Sequence, residues 1–243
     1  MRSPGLLAAV WTAAAILSAC ADGKEPQSPA DAVEDEPHAP RPRTNGGPKI
    51  ESEIGALDEK AVAAAFREVR PKIKKCLRGA NDGLDLPVVG GELEVQLRVK
   101  GDGSLRWVYP MRSTLGHRSA EKCVLDALMA QSWPKPEGGD EGLARTDYGI
   151  DPPGRAPVRW SAGDLGSAAS EVESALNDCM SDAGAKSLSV TIYVDADGNA
   201  ITAGGAVGDE NGTEAIDCAV NAVKAIKFPS PGSYPAKVTI KAG

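Results

Sequence analysis

Five cysteines (Cys20, Cys76, Cys123, Cys179, Cys218) and two histidines (His38, His117) are the chain's whole stock of thiol and imidazole chemistry. No two cysteines stand two to four residues apart, so the knuckle of a structural zinc site is missing, and so is the close pair of a thiol redox enzyme. Asp195, Asp197 and Asn199 imitate the opening of a calcium loop, in which alternate carboxylates surround the ion. Ala200 stands where the turn glycine is required and Ala206 where the bidentate glutamate belongs, so a solvated hairpin turn is expected instead. His117 with Asp126 nearby could suggest a catalytic pair, but a surface loop histidine is the simpler reading. No serine elbow or phosphate-cradling glycine loop is present. No enzyme, metal or cofactor is expected.

The first cysteine belongs to export. Arg2, an apolar run from Leu6 to Leu17 and then Leu17-Ser18-Ala19-Cys20 read as a signal peptide over residues 1–19. The run is short for a span of ~20 residues and stops at small residues followed by polar ones. Leu17 to Cys20 resembles the bacterial lipobox, which implies an acylated Cys20 as the mature N-terminus and a membrane anchor of ~0.8 kcal/mol per buried methylene. Ala21 and Asp22 lack an aspartate directly after the cysteine, which by resemblance to enterobacterial sorting favours the outer membrane. The expected location is the cell envelope, lipid-anchored, with the folded part facing the periplasm. Cys76, Cys123, Cys179 and Cys218 are then an even number in an exported chain, for which disulfides are the default. Removing residues 1–19 leaves 26 bases against 34 acids, a net −8. That charge and only ten aromatics, 4 Trp, 4 Tyr and 2 Phe, argue against nucleic acid.

Residues 20–53 hold six prolines, eight acids and four bases with almost no large apolar side chain. They are expected to be a disordered, lipidated tether with a reach of roughly 30 Å. Beyond it the sequence repeats at an offset of 95, which maps Gly103 to Gly198, Cys123 to Cys218, Trp133 to Phe228, Pro134 to Pro229 and Pro136 to Pro231 without a gap. Upstream, Cys76 lies 27 residues before its glycine and Cys179 lies 19 before its own, which puts an eight-residue insertion between Gly79 and Gly91.

Each copy predicts a helix, two strands about a tight turn, a second helix and a closing strand. Val62, Phe66, Val69 and Ile73 mark the first helix, with a kink or fresh turn expected at Pro71, and Ala168, Val172, Ala175 and Cys179 its counterpart. Leu93, Val95, Leu97 and Val99, and Leu188, Val190, Ile192 and Val194, alternate with polar residues, which predicts antiparallel strands with one wet face. Gly101-Asp102-Gly103 and Asp195 to Gly198 supply the turns. Cys123, Ala127 and Met129 or Leu128, and Ile216, Ala219, Val220 and Val223, mark the second helices; Leu143 to Ile150 and Ala236 to Lys241 are the closing strands. The fold class is α+β, two tandem small modules of α-β-β-α-β order over 54–150 and 161–243, joined by a linker over 151–160 with Asp151-Pro152-Pro153-Gly154. The first copy carries 15 bases against 14 acids and residues 151–243 carry 7 against 12. Arg67, Arg70, Lys72, Lys74, Lys75 and Arg78 read as a solvated helix face with cations near its C-terminus.

The stretch from Leu188 to Pro231, with Val-Thr-Ile-Tyr-Val-Asp-Ala-Asp-Gly, then Ala215-Ile216-Asp217-Cys218-Ala219-Val220 and Ile226-Lys227-Phe228-Pro229, resembles the TonB C-terminal domain. A cysteine closing the first helix and another in the second resembles the C-terminal domain shared by the myxobacterial gliding-motility proteins AgmX and PglI. The resemblance covers both copies and implies a periplasmic helix-and-sheet module without enzymatic activity. With one cysteine pair per copy, the repeat pairs Cys76 with Cys123 and Cys179 with Cys218. The chain departs from an energy transducer in lacking a transmembrane helix. The expected role is protein binding or scaffolding through exposed sheet edges, in a motility or transport complex, with other envelope proteins as partners and the membrane met through the lipid. The alternative is a purely structural part of an envelope assembly with no peptide ligand. Intact mass of protein purified from its envelope is expected to carry a diacyl or triacyl increment on Cys20, and a Cys20→Ser chain to lack it; an unmodified cysteine would remove the anchor.

Overall fold

The structure, a computed structural model, describes residues 54–243; the signal peptide, Cys20 and the tether lie outside the described residues. The protein is α+β: the described residues form four α-helices and seven strands in two small sheets. The first half runs α1 (Glu59–Arg78), β1 (Gly91–Lys100), β2 (Leu105–Ser113), α2 (Arg118–Met129), β3 (Glu141–Ile150). The second runs β4 (Val158–Arg159), α3 (Ala168–Ala183), β5 (Leu188–Val194), β6 (Ala200–Val207), α4 (Thr213–Ala225), β7 (Ala236–Ala242). Sheet order is β2-β1-β3 in one and β4-β7-β5-β6 in the other, antiparallel except where β4 joins β7 in parallel. β4 falls in the segment expected as a linker, and it adds a fourth strand that the first sheet lacks. No helix among the described residues is long and apolar enough to cross a membrane.

Local chemistry sets these elements. Asp58, in extended conformation, accepts the Ala61 N–H at 2.7 Å and starts α1, while Glu59 in the first turn and Lys75 and Arg78 in the last complement the helix dipole. The helix runs through Pro71 without the fresh turn expected there. Its buried face is Ala65, Val69, Ile73 and Leu77, four residues apart, in one core cluster with Leu93, Val95, Leu97 and Val99 of β1. Phe66 and Val62 are only half buried. In α2 the buried positions are Ala120, Glu121, Val124 and Leu128; Met129 is exposed, so of the two alternatives Leu128 faces the core. In α3, Leu176 is fully buried and Ala175 only half, one step round from the face expected.

The repeat is visible as a clasp. Gly103 and Gly198 sit at φ +86° and +81°, where an L side chain is strained, and an added Cβ would run into the carbonyl oxygens of Trp133 and Phe228. Each glycine carbonyl accepts the N–H of that aromatic residue at 2.9 Å, Trp133 on Gly103 and Phe228 on Gly198. The aromatic-Pro-x-Pro exits are thereby pinned under the hairpin turns. The extra residues between Gly79 and Gly91 form a short 3-10 turn and an irregular segment, tied down where Asn81 exchanges two side-chain bonds with the Val89 backbone at 2.9 Å.

Disulfides join α1 to α2 (Cys76–Cys123) and α3 to α4 (Cys179–Cys218), closing segments of 47 and 39 residues. On the chain-entropy account each removes about 4 kcal/mol of freedom from the unfolded chain. The double variant Cys179→Ala/Cys218→Ala is expected to lose up to about 4 kcal/mol of unfolding free energy in urea. An unchanged midpoint would show that the bridge constrains nothing.

Candidate functional site

The wet face expected for β5 is dry: Thr191 and Tyr193 are fully buried. The reason is that the two halves pack on each other, β2 lying against β6 with no ladder between them. Tyr193, from the second half, is packed in the core of the first, and Tyr109 of β2 in the core of the second. The Tyr193 phenol donates to the Gly90 carbonyl at 2.6 Å and accepts the Gly90 N–H at 3.0 Å, and burial pushes its pKa up to about 12. Thr191 donates to the Ser113 carbonyl at 3.2 Å and meets the Thr239 hydroxyl at 2.7 Å.

Glu121 is the polar centre of this seam. Its carboxylate accepts the Ser113 hydroxyl at 2.6 Å and the Gly205 N–H of β6 at 3.0 Å, with no solvent exposure at all. Burial raises its pKa and outweighs the lowering by Ser113, Gly205 and the Arg118 charge. Residues 204 and 205 have to be glycine, since a Cβ on Gly204 would meet Glu121 Oε1 at 2.3 Å and one on Gly205 would meet the Ser189 carbonyl at 2.5 Å. Beside it Arg118 donates to both oxygens of Asp217, at 2.8 and 3.2 Å, and Lys122 reaches the same carboxylate at 3.1 Å. The Arg118 contact foremost holds the Asp217 carboxyl below its ordinary range.

The residues singled out for chemistry fall elsewhere. His117 is not a loop histidine: it is the N-cap of α2, half buried, its Nδ1 accepting the Ala120 N–H at 3.1 Å, and burial lowers its pKa. Asp195 closes the β5–β6 hairpin by accepting the Asn199 N–H at 2.8 Å, and no cluster of three potential metal ligands occurs among the described residues. Arg67, Arg70, Lys72, Lys74, Lys75 and Arg78 of α1 are exposed, and none is in a salt bridge among the described residues.

The seam decides which sheet edges are open. β2 and β6 are turned to each other, and the β6 edge is capped at Gly205 by Glu121. β4 covers β7 at Ala236 and Lys237. Left uncovered by the described residues are β7 from Val238 and β3 beyond its start, where Ile54 bridges Glu141 and Leu57 sits over Gly142. Along β3 the side chains of Leu143, Arg145 and Asp147 are exposed. A groove of about 310 Å³ follows this strand, walled by Leu57, Val62 and Phe66 on one side and Leu143 and Arg145 on the other. Phe66 is braced edge-on against Trp133 with ring centroids 4.7 Å apart. An open edge beside a shallow apolar groove can take the backbone of an extended segment and one or two of its apolar side chains.

The seam also fixes a pH dependence. Unfolded, Glu121 titrates near its ordinary 4.5; folded, it holds its proton to higher pH. For a group whose folded pKa is raised, stability is greatest below 4.5 and falls as pH rises through the folded value. Glu121→Gln, which still accepts from Gly205 and can donate to Ser113, is expected to lose that fall, and Glu121→Ala to cost about 1–3 kcal/mol through donors left without an acceptor. Denaturation midpoints read from pH 4 upward check both, and parallel profiles for wild type and Glu121→Gln would exclude titration of Glu121 in that window. Set against protein-family models, curated proteins and solved structures, the chain finds no match in any of the three.

Proposed function

We propose that the protein is a non-enzymatic, envelope-anchored lipoprotein that binds or scaffolds other envelope proteins by accepting an extended segment on an open sheet edge, in a motility or transport complex. The observation that carries this reading is β3: a ten-residue strand that among the described residues is paired on one side only along most of its length, with the Phe66 groove beside it. A β-ladder supplies affinity through main-chain bonds and the adjoining pocket supplies selectivity. Arg145 and Asp147 on the same edge discourage indiscriminate pairing with flat apolar strands, as charged edge residues do elsewhere. The Pro-rich, acidic composition of residues 20–53 supports a tether that holds this edge clear of the lipid, and the four cysteines in two bridges agree with an oxidising compartment. The likeness of the repeat to TonB-type and AgmX/PglI-type C-terminal domains supports the same reading.

Amide hydrogen exchange tests it. In the free protein the amides of Leu143 to Ile150 that face away from β1 are expected to exchange much faster than those of β1, and to become protected when an envelope extract is added. Leu143→Glu, which puts a charge in the groove without touching the core, is expected to weaken that protection by about tenfold or more. Protection of the outward amides of β3 already in the free protein, or protection unchanged in Leu143→Glu, would rule out the edge as the binding surface.

A further inference from the structure

At the opposite end of β3 from the Ile54 bridge, where the two halves meet, a cleft of about 400 Å³ is lined by Gly90, Thr114, Ile150, Pro152, Arg159 and Lys237 among others. Lys237 is the unusual member. Its ammonium donates to the Gly90 carbonyl at 2.6 Å and lies over the Tyr193 ring, 5.2 Å from the centroid. That uses one of its three N–H donors; among the described residues no carboxylate stands within 4 Å of it, and none within 4 Å of Arg159, its register partner across β4 and β7. Glu92 and Asp151 also line the cleft but pair with neither cation. Thr114 accepts the Glu92 N–H at 3.0 Å, which leaves its own O–H to donate.

We infer that this cleft is a binding site for a single carboxylate, held by Lys237 and Arg159 with Thr114 as a further donor. The argument is one of charge and solvation. A half-buried ammonium with two free donors, facing a second cation, is left undercompensated by one carbonyl and one ring face. Burial and then the Arg159 charge lower the Lys237 pKa to about 8, in keeping with a cation that lacks a close counter-charge among the described residues. Arg159 supplies a planar fork that matches a carboxylate and Lys237 a point charge. Glu92 and Asp151 at the cleft repel a dianion, so a monoanion is the better fit than phosphate. Ile150 and Pro152 offer an apolar wall to the body of the acid. The carboxylate can come from a free small acid or from the C-terminus of a peptide.

Competitive acetylation of the full chain, with each lysine read by peptide mass, tests the site, because a bound anion keeps Lys237 protonated and covered. At pH 8, acetate or N-acetyltrialanine with a free carboxylate is expected to slow acetylation of Lys237 by about threefold or more, saturably, with Lys241 unchanged as the internal reference. Protection by acetate identifies a small-acid site, and protection by the peptide alone identifies C-terminus capture; the peptide amide is expected to do nothing. Arg159→Met, at an exposed position that the core does not need, is expected to abolish the effect. Protection by inorganic phosphate and by neither carboxylate, protection equal to that of chloride, or equal protection in Arg159→Met would overturn the assignment.

Discussion

A carboxylate with no access to water, Glu121, sets the terms on which the two halves of the chain meet. Burying such a group is costly unless its lone pairs are satisfied, and here they are met by one hydroxyl from its own half and one backbone N–H from the other. Burial still wins over those bonds, since the carboxyl titrates high. The rest of the seam follows from placing it. Gly204 and Gly205 can carry no side chain, His117 has to cap α2 next to β6, and Arg118 and Lys122 come down on Asp217. With β2 and β6 held together, the outer face of the second sheet closes over Thr191 and Tyr193, and Gly90 becomes the acceptor for both Tyr193 and Lys237.

The geometry has the logic of an isologous dimer written into one chain. β2 and β6 occupy corresponding places in the 95-residue repeat and face each other, and Lys122 and Asp217, also 95 apart, form an ion pair. In a dimer of identical copies, that place would oppose two lysines or two aspartates. In the tandem chain the two positions differ, so like-charge repulsion is replaced by attraction. The same freedom lets Glu121 correspond to Ile216: one half supplies the buried acid and the other packs an ordinary core residue there. The contact is symmetric in its elements and asymmetric in its chemistry.

Much of the fold was legible because each half obeys local rules. Alternation gave β1, the glycine turns placed the hairpins, and the order of elements in the two halves follows from cysteines and glycines at constant spacing. The seam was not legible, because it depends on which outward faces meet. Thr191 and Tyr193 look like the wet side of an alternating strand, and only the arrival of Gly90, Ser113 and Gly116 from the other half makes them core. Glu121 looks like any helix-surface acid. One faint signal existed: Gly204-Gly205 in the middle of a strand, where two glycines weaken pairing unless another chain segment approaches closely. β4 was hidden for a different reason, since two residues are too few to show a period. Lys237 stayed invisible because alternation puts it on a surface that the linker segment and Gly90 happen to cover.

Packing the halves together also narrows what the protein can offer to a partner. Of the strands that end a sheet, β2 and β6 are spent on each other, and β7 is capped over its first two residues. What β7 retains, Val238 to Ala242, is five residues or roughly 17 Å of ladder; β3 from Leu143 to Ile150 is eight, or roughly 27 Å. Main-chain bonds accumulate with length, so an added strand gains most on β3. That is also the edge with an aromatic-braced groove beside it. The two edges differ in chemistry as well as reach. β3 presents Leu143, Arg145 and Asp147 within five residues, an apolar contact followed by charges of both signs, and so it can select for a segment whose own side chains alternate to match. Had the halves been free of each other, four edges would compete for an extended chain; the seam, with the buried carboxylate at its centre, leaves β3 as the longest of those still open.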